Sequence, residues 1–203
     1  MRFFSVIVLM LLAATVKGAG RLRNIECHRM VLQGCCRIEA ILNPKASLTR
    51  DQFCSRFNAS LMLPGGYYWP LHRLQQPIDF VFSNEHTICP YRRDLHRPIL
   101  ASNRYTGNVI IFTKYHDFLT LKDQFTDAIA GDGIGQRCHD QCLRTLVSLK
   151  DNEIHFFIML GTIKQCQARM KKLQMDQFLF LDSGTSCNPN TRMPVYLGVF
   201  PQP

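Results

Sequence analysis

The sequence has few of the features that mark fibrous, disordered or membrane-spanning chains. Only 12 of its 203 residues are glycine and 10 are proline, which excludes a collagen-like or low-complexity chain. Hydrophobic residues make up 46%, which excludes general disorder. After the N-terminal segment, no apolar stretch approaches the roughly 20 residues of a membrane-spanning helix. The length fits one large domain with its own core.

The N-terminal segment is organised as a secretory signal peptide. Arg2 provides a basic start, residues 3–14 form an unbroken apolar run, and small residues follow at Gly18 and Gly20. The run is too short for a transmembrane anchor. We therefore expect residues 1–18 to be a signal peptide, the protein to be secreted, and no segment to span a membrane.

Acidic residues are outnumbered, 15 against 24 lysines and arginines. Removal of the signal peptide takes away Arg2 and Lys17, which lowers the formal charge of +9 by two. A basic chain favours anionic partners such as nucleic acid, phospholipid headgroups or acidic polysaccharide, although the same charge also serves simple solubility.

All nine cysteines follow the signal peptide, so we expect eight of them to pair in disulfides in an oxidising compartment. The ninth would be a free thiol or an intermolecular link. The nine are Cys27, Cys35, Cys36, Cys54, Cys89, Cys138, Cys142, Cys166 and Cys187. The sequon Asn58-Ala59-Ser60 adds Asn58 as a candidate glycosylation site.

The hydrophobic pattern predicts a mixture of short strands and helices. Helices are expected from Asn43-Pro44 to residue 57, over 118–129 with a stop at Gly131, over 138–149, and over 163–173. Strands are expected within 21–42 and at 78–82, 98–100, 109–112, 154–160, 178–181 and 195–200.

Three motifs are open to a chemical interpretation, and each has a simpler one. Residues 180–186 are similar to the active-site turn of aspartic proteases, but those enzymes need two carboxylates and this chain has one copy. We interpret Asp182 as the cap of a strand-end turn.

The glycines at 131–135 follow a predicted helix, so they indicate a helix stop rather than a phosphate loop. Cys138 and Cys142 could hold a metal, but disulfides are favoured, and we expect no metal and no cofactor.

An aromatic and basic cluster in the middle of the chain would suit single-stranded RNA, because bases stack on rings while basic groups meet phosphates. The alternative is that many of these rings lie in the core. The RNA-binding candidates are Tyr68, Trp69, His72, Arg73, Arg92, Arg93, Arg97 and Arg104. Among the histidines, His72, His96 and His116 are the candidate acid–base groups.

A succession of short motifs resembles the small secreted guanyl-specific ribonucleases of fungi. The matching stretches are Tyr68-Trp69-Pro70-Leu71-His72, Ile78-Asp79-Phe80, Arg97-Pro98-Ile99-Leu100, Tyr105-Thr106-Gly107 and Val109-Ile110-Ile111-Phe112. The resemblance implies an α+β fold, with a helix packed on an antiparallel sheet. The ribonuclease-like core would span 19–142, and 143–203 would form a C-terminal strand–helix–strand extension.

The resemblance also implies an eroded active site. That family uses a glutamate base and an arginine, and this chain has His96 and Val109 in those places. The combination is similar to ribonuclease-like virulence effectors of powdery-mildew-type fungi. It implies a monomeric, non-catalytic effector, taken up into host cytoplasm, that binds host RNA or immune proteins. The alternatives are an active, metal-independent secreted ribonuclease or cytotoxin, and an extracellular cysteine-rich ligand or inhibitor without a nucleic-acid role.

Overall fold

Strands dominate the structure, a computed structural model that describes residues 7–9, 27–32, 36–65, 77, 79–92, 96–131, 141–151, 153–187 and 190–201. The strands are β1 (Ile7–Leu9), β2 (Cys27–Leu32), β3 (Cys36–Leu42), β4 (Leu61–Pro64), β5 (Val81–Ser83), β6 (His86–Cys89), β7 (Ile99–Ser102), β8 (Val109–Phe112), β9 (Asp127–Ala130), β10 (Cys142–Lys150), β11 (Glu153–Gly161), β12 (Gln177–Ser183) and β13 (Val195–Pro201). The α-helices are α1 (Arg50–Phe57), α2 (Tyr115–Thr120) and α3 (Ile163–Lys172).

The strands form three antiparallel sheets. The first has the order β1-β2-β11-β10-β12, the second β3-β13-β4, and the third β6-β5-β9-β7-β8. β1 lies within the expected signal peptide and pairs at the edge of the first sheet. Removal of that segment therefore leaves the other four strands of the sheet paired.

The inner faces of the three sheets share one apolar core. Ile38 of the second sheet, Ile129 of the third and Val147 of the first are buried in the same cluster. Hydrogen bonds also join the second and third sheets. The Ser102 hydroxyl donates to the Ile38 carbonyl over 2.6 Å, and the Ser83 hydroxyl donates to the Ala40 carbonyl over 2.6 Å.

Each sheet also packs a helix against its other face. The buried contacts are Phe53 of α1 with Met62 and Tyr196, Phe118 of α2 with Phe80 and Phe112, and Met170 of α3 with Leu146 and Phe157. The central strands are consequently buried on both faces, and their sequences lack the apolar–polar alternation of a half-exposed strand.

Two of the helices begin with a capping box. The Thr49 hydroxyl accepts from the Gln52 amide, and the Gln52 side chain accepts from the Thr49 amide. Thr162 and Gln165 repeat this arrangement at the start of α3. Because each box satisfies two otherwise unpaired amides, it defines where its helix begins.

The expected ribonuclease-like core, with one helix on one antiparallel sheet, is wrong. Residues 143–203 do not behave as an extension, since β11 pairs with β2 and β13 lies between β3 and β4. Two of the three sheets therefore depend on the C-terminal third of the chain. The fold has three sheets, each with a helix of its own.

Several local predictions are confirmed, and others are wrong for one physical reason. The expected strands at 109–112, 154–160, 178–181 and 195–200 and the helix from Ile163 are present. The helix expected over 118–129 is instead α2, a short 3₁₀ turn and strand β9, and the one expected over 138–149 is mostly β10. In both places tertiary burial, not a helix, sets the apolar spacing. Phe118 and Ile129 are buried in separate elements, α2 and β9, and residues 144–148 of β10 are all buried, which removes the alternation of a half-exposed strand. The helix expected from Asn43 begins at Arg50, after a separate 3₁₀ turn at Pro44–Ala46.

The expected disulfide stabilisation is also wrong for the cysteines whose side chains the structure describes. None of Cys54, Cys89, Cys142, Cys166 and Cys187 is in a disulfide bond. Three of these sulfurs contact backbone carbonyls: that of Cys54 with Ala59 at 3.0 Å, that of Cys89 with Pro77 at 3.4 Å, and that of Cys187 with Leu143 at 3.4 Å. The side chains of Cys27, Cys35, Cys36 and Cys138 lie outside the described residues.

Within the described part of the chain, no helix has the length and apolarity to cross a membrane.

Candidate active site

A buried carboxyl group lies at the end of β12. Asp182 is 8% exposed, and the 3₁₀ turn that follows brings Ser186 back onto it. The Ser186 hydroxyl donates to Oδ2 over 2.6 Å, and the Ser183 amide donates to Oδ1 over 2.9 Å. Burial raises the pKa of Asp182 from 3.8 to about 6, although these hydrogen bonds and Arg97 favour the ionised form.

A second buried carboxyl group pairs with an arginine nearby. Asp79 precedes β5 and is 1% exposed, and Arg97 precedes β7. Nη1 of Arg97 lies 2.9 Å from Oδ2 of Asp79, and the Phe80 amide donates to Oδ1 over 2.7 Å. Burial raises the pKa of Asp79, while the amide of Phe80 and the charges of Arg97 and Arg92 oppose the rise.

Arg97 connects the two carboxyl groups electrostatically. Its positive charge opposes the rise in the pKa of Asp79 and, as the smallest contribution, that of Asp182, so the three groups lie within electrostatic range of one another. The Asp182 amide donates to the Gly65 carbonyl over 3.3 Å, which places the end of β4 beside the site. A Cβ at Gly65 would lie 2.7 Å from the Val195 carbonyl oxygen, so this close approach requires glycine.

An open pocket of about 440 Å³ adjoins the Asp79–Arg97 pair. We call it the tyrosine–histidine pocket, and its lining includes Tyr91, His96, Thr113, Lys114, Tyr115 and His116. The Tyr91 hydroxyl donates to the Arg97 carbonyl over 2.8 Å, which joins the pocket to the carboxylate site. Burial and the charge of Asp79 raise the pKa of Tyr91, so this hydroxyl keeps its proton.

The structure brings some of the predicted site residues together and separates others. His96 and His116, two of the three acid–base candidates, line the same pocket. Arg97 lies in the carboxylate site, and Arg92 adds charge near Asp79. Arg104 lies elsewhere, with Nη2 2.8 Å from Asp127. Five candidates lie outside the described residues, namely Tyr68, Trp69, His72, Arg73 and Arg93.

Two further sequence expectations concern glycosylation and metal binding. Asn58 ends α1 in the left-handed conformation, with φ of 51°, and its side chain is exposed. Glycosylation there stays a prediction. Among the residues that the structure describes, no three histidine, cysteine or acidic side chains are grouped as metal ligands.

No protein-family model and no curated protein matches this sequence. Among solved structures, the chain is similar to the zebrafish N-acetylglucosamine-1-phosphodiester alpha-N-acetylglucosaminidase catalytic domain, auto-inhibited by its pro-peptide, with a TM-score of 0.68. The two chains have a similar fold. The match covers 98% of this chain and 82% of the zebrafish chain at 14% identity, so the likeness concerns the fold.

Sequence reasoning missed the pairing of Asp79 with Arg97 and treated Asp182 as a turn cap. A signal was present in both places, because each aspartate adjoins a strongly apolar segment, Phe80–Phe82 in one case and Phe178–Leu181 in the other. A carboxylate next to a buried strand is costly unless it is paired, and it therefore marks a site worth testing.

Proposed function

We propose that this chain is a secreted hydrolase that cleaves sugar 1-phosphodiesters, with Asp182 as the general base and Arg97 as the cation that receives the phosphate. The observation that carries this proposal is the site geometry: two buried carboxyl groups within the field of one arginine. Buried titratable groups with shifted pKa values are concentrated at catalytic sites.

The proton affinity of Asp182 fits the role of a general base. With a pKa of about 6, the group is mostly ionised at neutral pH and is still more basic than an exposed aspartate. A base is most effective when its pKa lies near the working pH. The hydrogen bonds from Ser186 and Ser183 hold the carboxylate in one orientation.

The chemistry of the bond explains why one base is enough. Water adds its oxygen to C1 of the sugar and gives a proton to Asp182, while the C1–O bond breaks and its electron pair stays on the phosphate oxygen. A phosphate leaves as an anion and needs no proton from an acid. It does need positive charge, which Arg97 supplies in a site sheltered from water.

Asp79 is a positioning residue in this scheme. Its carboxylate pairs with Arg97 at 2.9 Å and holds the guanidinium, whose charge also acts on Asp182. Arg97 is 14% exposed, so a substrate phosphate can approach it from the solvent side. The fold likeness adds support, since the zebrafish domain is by its name a glycosidase of a phosphodiester.

The test uses protein purified from the medium of a eukaryotic secretion host. The methyl ester of N-acetylglucosamine 1-phosphate is the substrate, and released sugar is measured by mass spectrometry in water enriched in ¹⁸O. We expect the label in the sugar, because the C1–O bond breaks. The rate should rise with pH through a midpoint of about 6, as Asp182 ionises.

The variant Asp182→Asn should lower the rate by roughly 10²–10⁴-fold. Asp176→Asn, an exposed aspartate just before the same strand, is the matched control and should leave the rate unchanged. Label in the phosphate would assign a phosphodiesterase instead. Absence of turnover between about pH 4 and about pH 9 would refute the proposal.

The hypothesis of a host-directed effector that binds RNA or immune proteins stays a prediction, although the ribonuclease-like core that motivated it is wrong. Structured RNA is therefore a useful second substrate in the same assay. Its cleavage, lost in His96→Asn or His116→Gln, would favour the secreted-ribonuclease alternative.

A further inference from the structure

We propose that the tyrosine–histidine pocket binds a phosphorylated sugar. The assignment deepens the proposed function and rests on it. The pocket would hold the phosphorylated part of the substrate, which leaves when the C1–O bond breaks. Its volume of about 440 Å³ lies within the range of small-molecule sites.

The charges of the lining select an anionic ligand. Lys114, His96 and His116 bring an ammonium group and two imidazoles to one opening, and all three side chains are exposed to solvent. None of the described residues that line the pocket carries a carboxylate. Hydrogen bonds from such groups to phosphate are short and are stronger than neutral ones.

The rings of the lining select a ligand with a flat apolar face. Tyr91 and Tyr115 stack in parallel, with centroids 4.2 Å apart and planes 2° apart. Both rings also meet Phe80 edge to face, at 6.2 Å and 5.5 Å, so the pair is anchored to the core of the third sheet. A ring held in place before binding loses little entropy when a sugar ring packs on it.

The backbone at His96 has the strain that is concentrated at ligand sites. Its φ is 45°, a left-handed conformation that is unusual for histidine, and the next residue, Arg97, is held by Asp79. The ion pair therefore restrains the residue next to His96, whose exposed side chain lines the pocket. The Arg97 carbonyl accepts a hydrogen bond from Tyr91 of the pocket, and the Arg97 charge acts on Asp182, so in this proposal the phosphate lies between the pocket and Asp182.

The test measures binding by calorimetry with three probes: glucose 1-phosphate, glucose and inorganic phosphate. The protein carries Asp182→Asn to prevent turnover. Glucose 1-phosphate should bind at least tenfold tighter than either of the others, because it alone uses both the cations and the rings. No saturable binding, or equal binding of glucose, would overturn the proposal.

Variants then locate the binding. Lys114→Gln with His116→Gln should weaken glucose 1-phosphate binding about tenfold. The matched control, Lys164→Gln with Lys171→Gln on the exposed face of α3, should change it less than twofold. Tyr115→Leu should weaken the sugar phosphate and leave inorganic phosphate unchanged, with a thermal melt to confirm folding. Binding that survives the pocket variants would refute the assignment.

The pocket and the proposed reaction can fail separately. Normal probe binding in a protein that hydrolyses no phosphodiester would disprove the reaction and leave the pocket assignment standing. Hydrolysis whose KM is unaffected by Lys114→Gln with His116→Gln would disprove the pocket and leave the reaction standing. Tighter binding of an RNA oligonucleotide than of glucose 1-phosphate at the same residues would assign the pocket to RNA instead.

Discussion

Two buried aspartate–arginine pairs in this molecule have the same composition and different surroundings. Asp127 and Asp79 are each 1% exposed, and their partners Arg104 and Arg97 are 17% and 14% exposed. The first pair joins the second and third sheets. The second pair lies in the candidate active site. Composition and burial therefore do not distinguish a structural pair from a reactive one.

Hydrogen bonding does distinguish them. Nε and Nη2 of Arg104 both donate to Asp127, at 2.8–3.1 Å, and the Thr126 hydroxyl and Ala40 amide donate to the same carboxylate. Asp79 accepts hydrogen bonds from the Phe80 amide and the Arg92 backbone, Nη1 of Arg97 lies 2.9 Å from its Oδ2, and the charge of Arg97 also acts on Asp182. The Arg104–Asp127 pair, which is saturated with hydrogen bonds, stabilises the fold. Arg97, a cation shared between two carboxyl groups, can respond to a third anion.

The largest expected effect is on the saturated pair. Arg104→Met leaves the Asp127 carboxylate buried without its cation, and we expect a loss of about 3–5 kcal/mol in the free energy of unfolding. Arg37→Met is the control, because Arg37 is 37% exposed and pairs with Glu39, and an ion pair with a solvent-exposed arginine contributes about 1 kcal/mol or less. Chemical denaturation measures both. Equal losses in the free energy of unfolding would show that the additional hydrogen bonds at Asp127 do not matter.

The second prediction is a gain in the free energy of unfolding rather than a loss, and it concerns Asp182 in the candidate active site. The pKa of Asp182 is raised on folding, so the native state holds its proton more tightly and loses stability as pH rises from about 4 to about 6. Asp182→Asn avoids this cost and should stabilise the protein by up to about 3 kcal/mol at pH 8. At pH 4 or below the two proteins should have similar stability. Destabilisation at pH 8 would contradict the raised pKa.

The smallest effect concerns one hydrogen bond at the same carboxylate. Ser186→Ala removes a donor that favours ionised Asp182, so its pKa should rise further. The midpoint of the pH–rate profile should move up by about one unit, which corresponds to about 1.4 kcal/mol. Ser183→Ala is the control, because Ser183 donates through its backbone amide, which the variant retains. A common shift in both variants would indicate a general change of packing.

The sequence predicted local structure well where the chain carries a clear helix pattern or a short apolar run of strand length. α3 has apolar residues at Ile163, Cys166 and Met170, and it lies where the pattern predicts. β10 was wrongly expected to be helical, since Leu146 and Val147 are buried on opposite faces and leave no alternation. The candidate site could not be predicted, because Asp79 and Asp182 are far apart in sequence, and Arg97, whose charge acts on both, precedes a different strand.

By itself, the sequence determined the length, the basic charge, the hydrophobic content and most strands, because these depend on composition and short-range pattern. Tertiary structure decided the three-sheet arrangement, in which C-terminal strands lie inside sheets begun near the N-terminus. It also decided the chemistry of Asp182, whose proton affinity is raised by burial that no neighbouring residue in the sequence specifies. Desolvation depends on everything that packs around a group, and that is known only once the chain has folded.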